Sequence, residues 1–203
     1  MYIPTLDIEG GFYDKPINLD ITHRCPLQCP SCIRQKNKYI KNNPKNTDIS
    51  IANYLKILKT FSYIELSGQQ SDPLCHPEII ELIFLSRYRK LDIHTATSHK
   101  KKDFYIEAFD TNPNATWIFG LDGLPADSHK HRVNQNGTHL FEMMQLGVEM
   151  GINVVWQYLV FNYNQNNIEE ARALAKGMEF RLSLSSRWDD HSKHLKPDEE
   201  YCA

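Results

Sequence analysis

Ile17-Asn18-Leu19-Asp20-Ile21-Thr22 runs directly into His23-Arg24-Cys25-Pro26-Leu27-Gln28-Cys29-Pro30-Ser31-Cys32. The first six residues alternate apolar and polar at period two, the pattern of a half-buried strand. Three cysteines therefore sit on the loop that leaves a strand. Outward from this point the same unit repeats. Asp48 or Ser50 can cap a helix whose Ile51, Tyr54, Leu55 and Leu58 fall on one face. A strand over 63–67 follows, then a helix with Pro77 in its first turn and Ile79, Ile80, Leu82 and Ile83 inward.

The alternation continues with strands over 91–95, 116–121, 152–161 and 180–184. Helices are predicted near 103–109, over 138–150, and after Asn167, where Glu170 suggests a capping box. Six strands separated by helices predict an α/β fold with a parallel six-stranded sheet and right-handed crossovers. In such sheets the loops at the C-terminal strand ends build the active site. The domain reading is an N-terminal extension over 1–16, a core over 17–187 and a C-terminal tail over 188–203.

Composition narrows the function classes. The chain has 203 residues, 41% of them hydrophobic, and a formal net charge of −2. That balance argues against a dedicated nucleic-acid binder, which carries a basic excess to neutralise phosphates. No apolar run approaches the ~18 residues of a spanning helix, and Met1–Asp7 shows no basic segment followed by an apolar one. The expectations are no membrane partner and a cytoplasmic location. In a reducing compartment five cysteines are not a disulfide framework. Their clustering is what matters, because Cys25, Cys29 and Cys32 form CxxxCxxC while Cys75 and Cys202 stand apart.

Three thiolates at this spacing can converge on a metal centre and leave one position open. A [4Fe–4S] cluster with one free iron is one reading. A structural zinc site completed by His23 is a second, and unligated thiols are a third; a zinc-dependent hydrolase-like α/β protein with a Cys₃ site is a further functional rival. Cys75 reads as a small apolar filler. The tail, with Asp189, Asp190, His191 and His194, reads as a solvated or frayed terminus rather than a metal site. Asp92 and His94 could face the sheet interior and touch substrate or serve structure. Trp156 and Tyr158 share one side of their strand, as a substrate wall or as ordinary packing.

The residues His23 to Cys32, placed after a first strand, resemble the cluster motif of the radical S-adenosylmethionine (radical SAM) superfamily. Ser67-Gly68-Gln69-Gln70-Ser71-Asp72-Pro73-Leu74-Cys75-His76-Pro77 resembles that family's Gly-Gly-Glu-Pro loop and its Leu-x-His-Pro continuation. Thr97-Ser98-His99 is similar to its Thr-Asn-Gly, and Gly120-Leu121-Asp122-Gly123 with His129 and Arg132 to its Ser-x-Asp-Gly…His…Arg segment. The stretch 160–171 resembles members that carry a further C-terminal cluster domain. One cysteine near the end cannot hold a second cluster, so a single [4Fe–4S] site is expected.

The resemblance implies an incomplete (β/α)6 TIM-like barrel that cleaves SAM reductively and generates a 5′-deoxyadenosyl radical to abstract hydrogen from a peptide or small-molecule substrate. It implies a reducing electron donor such as flavodoxin or ferredoxin. Cys25, Cys29 and Cys32 would ligate iron. Gly68 would allow close approach to the methionine moiety and Asp72 would accept from its ammonium group. Ser98 and Asp122 would face the ribose, and Arg132 the SAM carboxylate. Three residues depart from the family pattern: Ser31 stands where an aromatic residue is usual, Asp72 is shorter than Glu, and Gly120 replaces Ser. These departures keep a rival in view, a degenerate or truncated scaffold that binds a cluster or zinc without catalysis.

Overall fold

The computed structural model describes residues 15–36, 48–186, 188–190 and 192–203. The expectations that rest on 1–14, including the Met1–Asp7 segment, and on 37–47, 187 and 191 lie outside the described residues. Six strands alternate with helices: β1 (Ile17–Leu19), α1 (Ile33–Lys36), α2 (Ile51–Leu58), β2 (Tyr63–Leu66), α3 (Ile79–Leu85) and β3 (Lys90–Thr95). Then come α4 (Lys102–Thr111), β4 (Thr116–Gly120), α5 (Gly137–Glu149), β5 (Asn153–Leu159), α6 (Ile168–Leu174) and β6 (Glu179–Ser183).

Each strand pairs in parallel with its sequence neighbour, in the order β1-β2-β3-β4-β5-β6. Crossovers of one hand between successive strands put the helices on one face and leave the other concave. The sheet is not closed, so the expected incomplete barrel is what forms. Ile64, Leu66, Ile93, Trp117 and Phe119 point to the helices and are fully buried with Tyr105 and Phe109. Trp117 stacks on Phe119 at 5.9 Å and meets Phe109 edge-on at 5.0 Å. Each such aromatic contributes on the order of 2–3 kcal/mol through area removed from water.

Trp156 and Tyr158 share a side as expected, and it is the helix side. Both are fully buried, Trp156 against Phe141 and Phe180 at 5.3 and 5.6 Å. They are core, not substrate wall, and the residue between them, Gln157, faces the concavity with His94 and Ile118.

Local chemistry sets several boundaries. Ser50 caps α2, its side chain accepting from Asn53 N at 3.3 Å. Asp48 is thereby free to hold Thr22 Oγ1 at 2.6 Å and Arg24 at 2.5 Å. β1 is shorter than the alternation predicts because Asp20 turns away to accept from Ser71 Oγ at 2.9 Å and Gln70 N at 3.3 Å. At α6 the capping box does not form. Asn167 makes no side-chain cap bond, and Asn164 organises the turn instead, accepting from Phe161 N at 2.7 Å and donating to Leu159 O at 2.9 Å.

The tail is not frayed. Asn162 N donates to Leu195 O at 3.0 Å, Gln165 donates to Asp198 at 2.7 Å, and Ser185 bridges Cys202. Leu195 is buried and Trp188 meets Phe161 edge-on at 5.8 Å, so apolar side chains and backbone bonds dock a segment whose composition reads as polar. No described helix is long and apolar enough to cross a membrane.

Candidate functional site

The loop after β1 folds on itself over two short turns. Cys32 N donates to Cys29 O at 3.1 Å and Gln35 N to Cys32 O at 3.0 Å, which starts α1 immediately after the third cysteine. Gln28 N donates to Val133 O at 3.1 Å and Asn134 to Pro26 O at 3.1 Å, tying the loop to the segment that follows β4. Cys25, Cys29 and Cys32 thereby line one cavity of ≈230 Å³. Cys29 is the most buried, at 7% exposure, and packs with Leu27 and Ala96. Burial, reinforced by Asp72, pushes the Cys25 thiol up to about 12, and burial also raises Cys29. Metal would have to displace those protons.

Gly68 lies on the same wall with φ +49, a left-handed conformation that a side chain resists. A Cβ there would stand 2.5 Å from Ser71 O, so the loop closes only around glycine. Asp72, 3% exposed, has a different task from the one expected. Its carboxylate accepts from Leu74 N at 3.0 Å, Thr95 Oγ1 at 3.0 Å, Ala96 N at 2.8 Å and Thr97 N at 3.0 Å. Both oxygens are committed, and the side chain works as a strut between this loop and the end of β3.

Asp122 is likewise turned inward. At 0% exposure it accepts from Arg132 Nε at 2.6 Å, His131 Nδ1 at 3.0 Å and Leu159 N at 3.2 Å. It lines neither cavity and has no oxygen to spare for a ribose. Its role is to aim two neighbours. Arg132 reaches the cysteine cavity, and its Nη2 would be 2.9 Å from a Cβ at Gly120. The glycine that replaces serine at 120 makes room for that guanidinium. His131 extends from Asp122 to Ser31 Oγ at 2.7 Å and lies against Phe161 at 4.3 Å. Ser31 thus fastens the cysteine loop to the β4 loop, a partnership across 100 positions that no local pattern signals.

Burial alone would raise the Asp122 carboxyl, yet Arg132 and His131 hold it down at about 2. A carboxyl lower in the folded state than the ~3.9 of an unfolded chain stabilises fully above that value and loses its contribution as pH falls through the folded one. The expected result is a loss of about 2 kcal/mol from this group between roughly pH 5 and pH 2. Asp122→Asn should start less stable at neutral pH and lack that slope. Urea melts of both chains across this range read it directly, and parallel slopes would refute it.

Of the residues singled out from sequence, the cavity gathers the three cysteines, Gly68, Asp72 and Arg132. Ser98 is not among them; its hydroxyl accepts from Asn136 N at 2.7 Å, ahead of α5. A second cavity of ≈170 Å³ adjoins the first, sharing Gly68, Asp72, Ala96 and Arg132, and carries His94 and Gln157 on the concave face. His94 Nε2 has no hydrogen-bond partner among the described residues.

Among the described residues no three His, Cys, Asp or Glu side chains close on one point as the ligands of a single ion do. A zinc ion draws its sulfurs to ≈2.3 Å from one centre, whereas an iron–sulfur cluster takes its thiolates from a wider circle. Cys25, Cys29 and Cys32 supply an all-sulfur donor set to one cavity, which fits an iron–sulfur cluster.

No protein-family model and no curated protein matches the sequence. The fold, in contrast, has solved counterparts. The structure of Streptococcus suis SuiB bound to S-adenosylmethionine matches with a TM-score of 0.72 at 15% identity, over 92% of this chain and 44% of that one. SuiB bound to its precursor peptide SuiA matches at 0.66, with 15% identity over 93% and 43%. Methylornithine synthase (PylB) matches at 0.60, with 15% identity over 83% and 53%. The chain spans less than half the length of SuiB. At these identities the likeness establishes the fold.

Proposed function

We propose that this chain is a radical SAM enzyme core, in which Cys25, Cys29 and Cys32 hold a [4Fe–4S] cluster that, when bound, supplies an electron for the reductive cleavage of SAM to methionine and a 5′-deoxyadenosyl radical. The observation that carries the reading is the convergence of three cysteines of one βα loop on a single cavity, at the C-terminal strand ends of a fold shared with SAM-binding SuiB. Gly68 lets backbone come close to the methionine end of SAM. Arg132, aimed by Asp122, puts a guanidinium on the cavity wall beside the bound cofactor. Asp72 holds the Gly68 loop against β3 and so sets the wall on which SAM rests.

The adjoining concave cavity, with His94 and Gln157, receives the substrate. A peptide or a small molecule is the class proposed, the former in keeping with the match to peptide-bound SuiB. A reducing protein such as flavodoxin or ferredoxin would deliver the electron. A second reading is a cluster- or zinc-binding scaffold without turnover. It is favoured by the commitment of Asp72 and Asp122 to internal hydrogen bonds and by the placement of Ser98 away from the cavity.

Anaerobic reconstitution with iron and sulfide, followed by dithionite reduction with SAM, separates the two. A brown chain with about four irons that releases 5′-deoxyadenosine is the expected result. A brown chain that leaves SAM intact supports the scaffold, and a colourless zinc-loaded one refutes the cluster.

A further inference from the structure

The cysteine cavity has a second guanidinium on its wall, and none of the roles above uses it. Arg34 lies two residues after Cys32 on α1 and is 7% exposed. Its Nη1 donates to the backbone carbonyl of His23. No carboxylate among the described residues pairs with it. The two arginines nearby are both neutralised: Arg132 by Asp122 at 2.6 Å and Arg24 by Asp48 at 2.5 Å. Asp72 is the one carboxylate among the described residues that line this cavity, and its oxygens are occupied by Leu74, Thr95, Ala96 and Thr97.

A guanidinium does not shed its proton to escape burial. Nearly buried and bonded to one carbonyl, with no carboxylate beside it among the described residues, Arg34 leaves a positive charge on the cavity wall that an anion would complement. One hydrogen bond to a carbonyl leaves most of its five donors unspent, and the cavity is where the side chain is exposed.

We propose that Arg34 is the anion-receiving residue of the cysteine cavity, binding a negatively charged group of the cofactor by charge-assisted hydrogen bonds. Two groups share that chemistry, the SAM carboxylate and the thiolate-ligated cluster itself. The identity of the anion rests on the function proposed above, while the need for one rests on the cavity alone. Sequence reading assigns the carboxylate to Arg132. The structure shows Arg132 already offset by a buried aspartate, so the uncompensated charge is at Arg34.

The test uses the full chain with Arg34→Met and Arg34→Lys. In the metal-free protein, Arg34→Met should melt within about 2 °C of wild type or above it, since removing an unpaired buried charge relieves a penalty. Sodium sulfate, compared with sodium chloride at equal ionic strength, should raise the wild-type melting temperature more than that of Arg34→Met, which keeps only the general stabilisation that sulfate gives any folded chain. A fall of more than roughly 5 °C in the variant, or an equal response to sulfate, overturns the proposal, because Arg34 is then a structural tie to His23.

In reconstituted, unreduced protein, SAM and decarboxylated SAM are compared by equilibrium dialysis. If the carboxylate is the anion, Arg34→Met weakens SAM at least tenfold, Arg34→Lys less so, and decarboxylated SAM binds both variants as it binds wild type. If the cluster is the anion, iron per chain or the midpoint potential falls in Arg34→Met and the two SAM compounds stay in step. If neither moves, Arg34 receives no anion. A wild-type chain that takes up no cluster refutes the functional reading, and the sulfate comparison still decides Arg34.

Discussion

A chain carrying Cys29→Ala is expected to take up no cluster and to form 5′-deoxyadenosine at less than roughly a hundredth of the wild-type rate, while its fold survives. Cys29 is the middle thiol of the loop and the deepest in the cavity, packed against Leu27 and Ala96. Without it only Cys25 and Cys32 are left on the loop, and two thiolates cannot retain an open-sited four-iron centre. The stability cost is modest. One sulfur is removed beside an existing cavity, so the loss is about 1 kcal/mol. Iron analysis, the visible spectrum, chromatography of the nucleoside and a urea melt on the same preparation separate lost chemistry from lost fold. Full iron content and turnover in this variant would place the chemistry elsewhere.

Asp72→Ala should show the opposite pattern, a loss of stability in the metal-free chain of about 4 kcal/mol, a large part of a typical domain's total. Truncation strands four buried donors, Leu74 N, Thr95 Oγ1, Ala96 N and Thr97 N, in a place the carboxylate had filled. Donors of this kind cost about 1–3 kcal/mol each when unmet, although water entering the gap recovers part of the sum. Asp72→Asn keeps the shape but turns an NH2 toward backbone N–H groups, so it rescues little. Chemical denaturation without cluster or SAM makes the measurement. A metal-free stability equal to wild type, with only SAM binding impaired, would mean that Asp72 contacts the ligand as the family resemblance implies.

These two aspartates show where sequence reading stops. Asp72 and Asp122 stand at the ends of strands, on the loops that carry function in parallel α/β folds, and residue type there suggests contact with a ligand. What a carboxylate does depends on which donors surround it. Those donors come from the start of the β3 loop for Asp72, and from the β4 loop and the end of β5 for Asp122. Ser98 lies off the two cavities, its hydroxyl accepting from the backbone of Asn136, a partner 38 positions away. Arg34 was overlooked because an arginine two residues beyond a cysteine looks ordinary. Its burial follows only when the loop closes over it.

Sequence by itself determined the order and type of the elements, the parallel sheet and the loop that bears the cysteines. Alternation at period two, helical periodicity and a cap at Asp48 or Ser50 are local properties, and successive βα units with one crossover hand admit few topologies. The side on which Trp156 and Tyr158 lie was settled by packing against α5 and β6. Tertiary structure alone decided which charges are spent internally and which face the cavity. Asp72 and Asp122 are saturated, Arg132 is paired, and Arg34 is buried with no carboxylate partner among the described residues. The physical reason is that burial and hydrogen-bond partnership are set by residues brought from distant parts of the chain, and the energy of a charge is governed almost entirely by those two quantities.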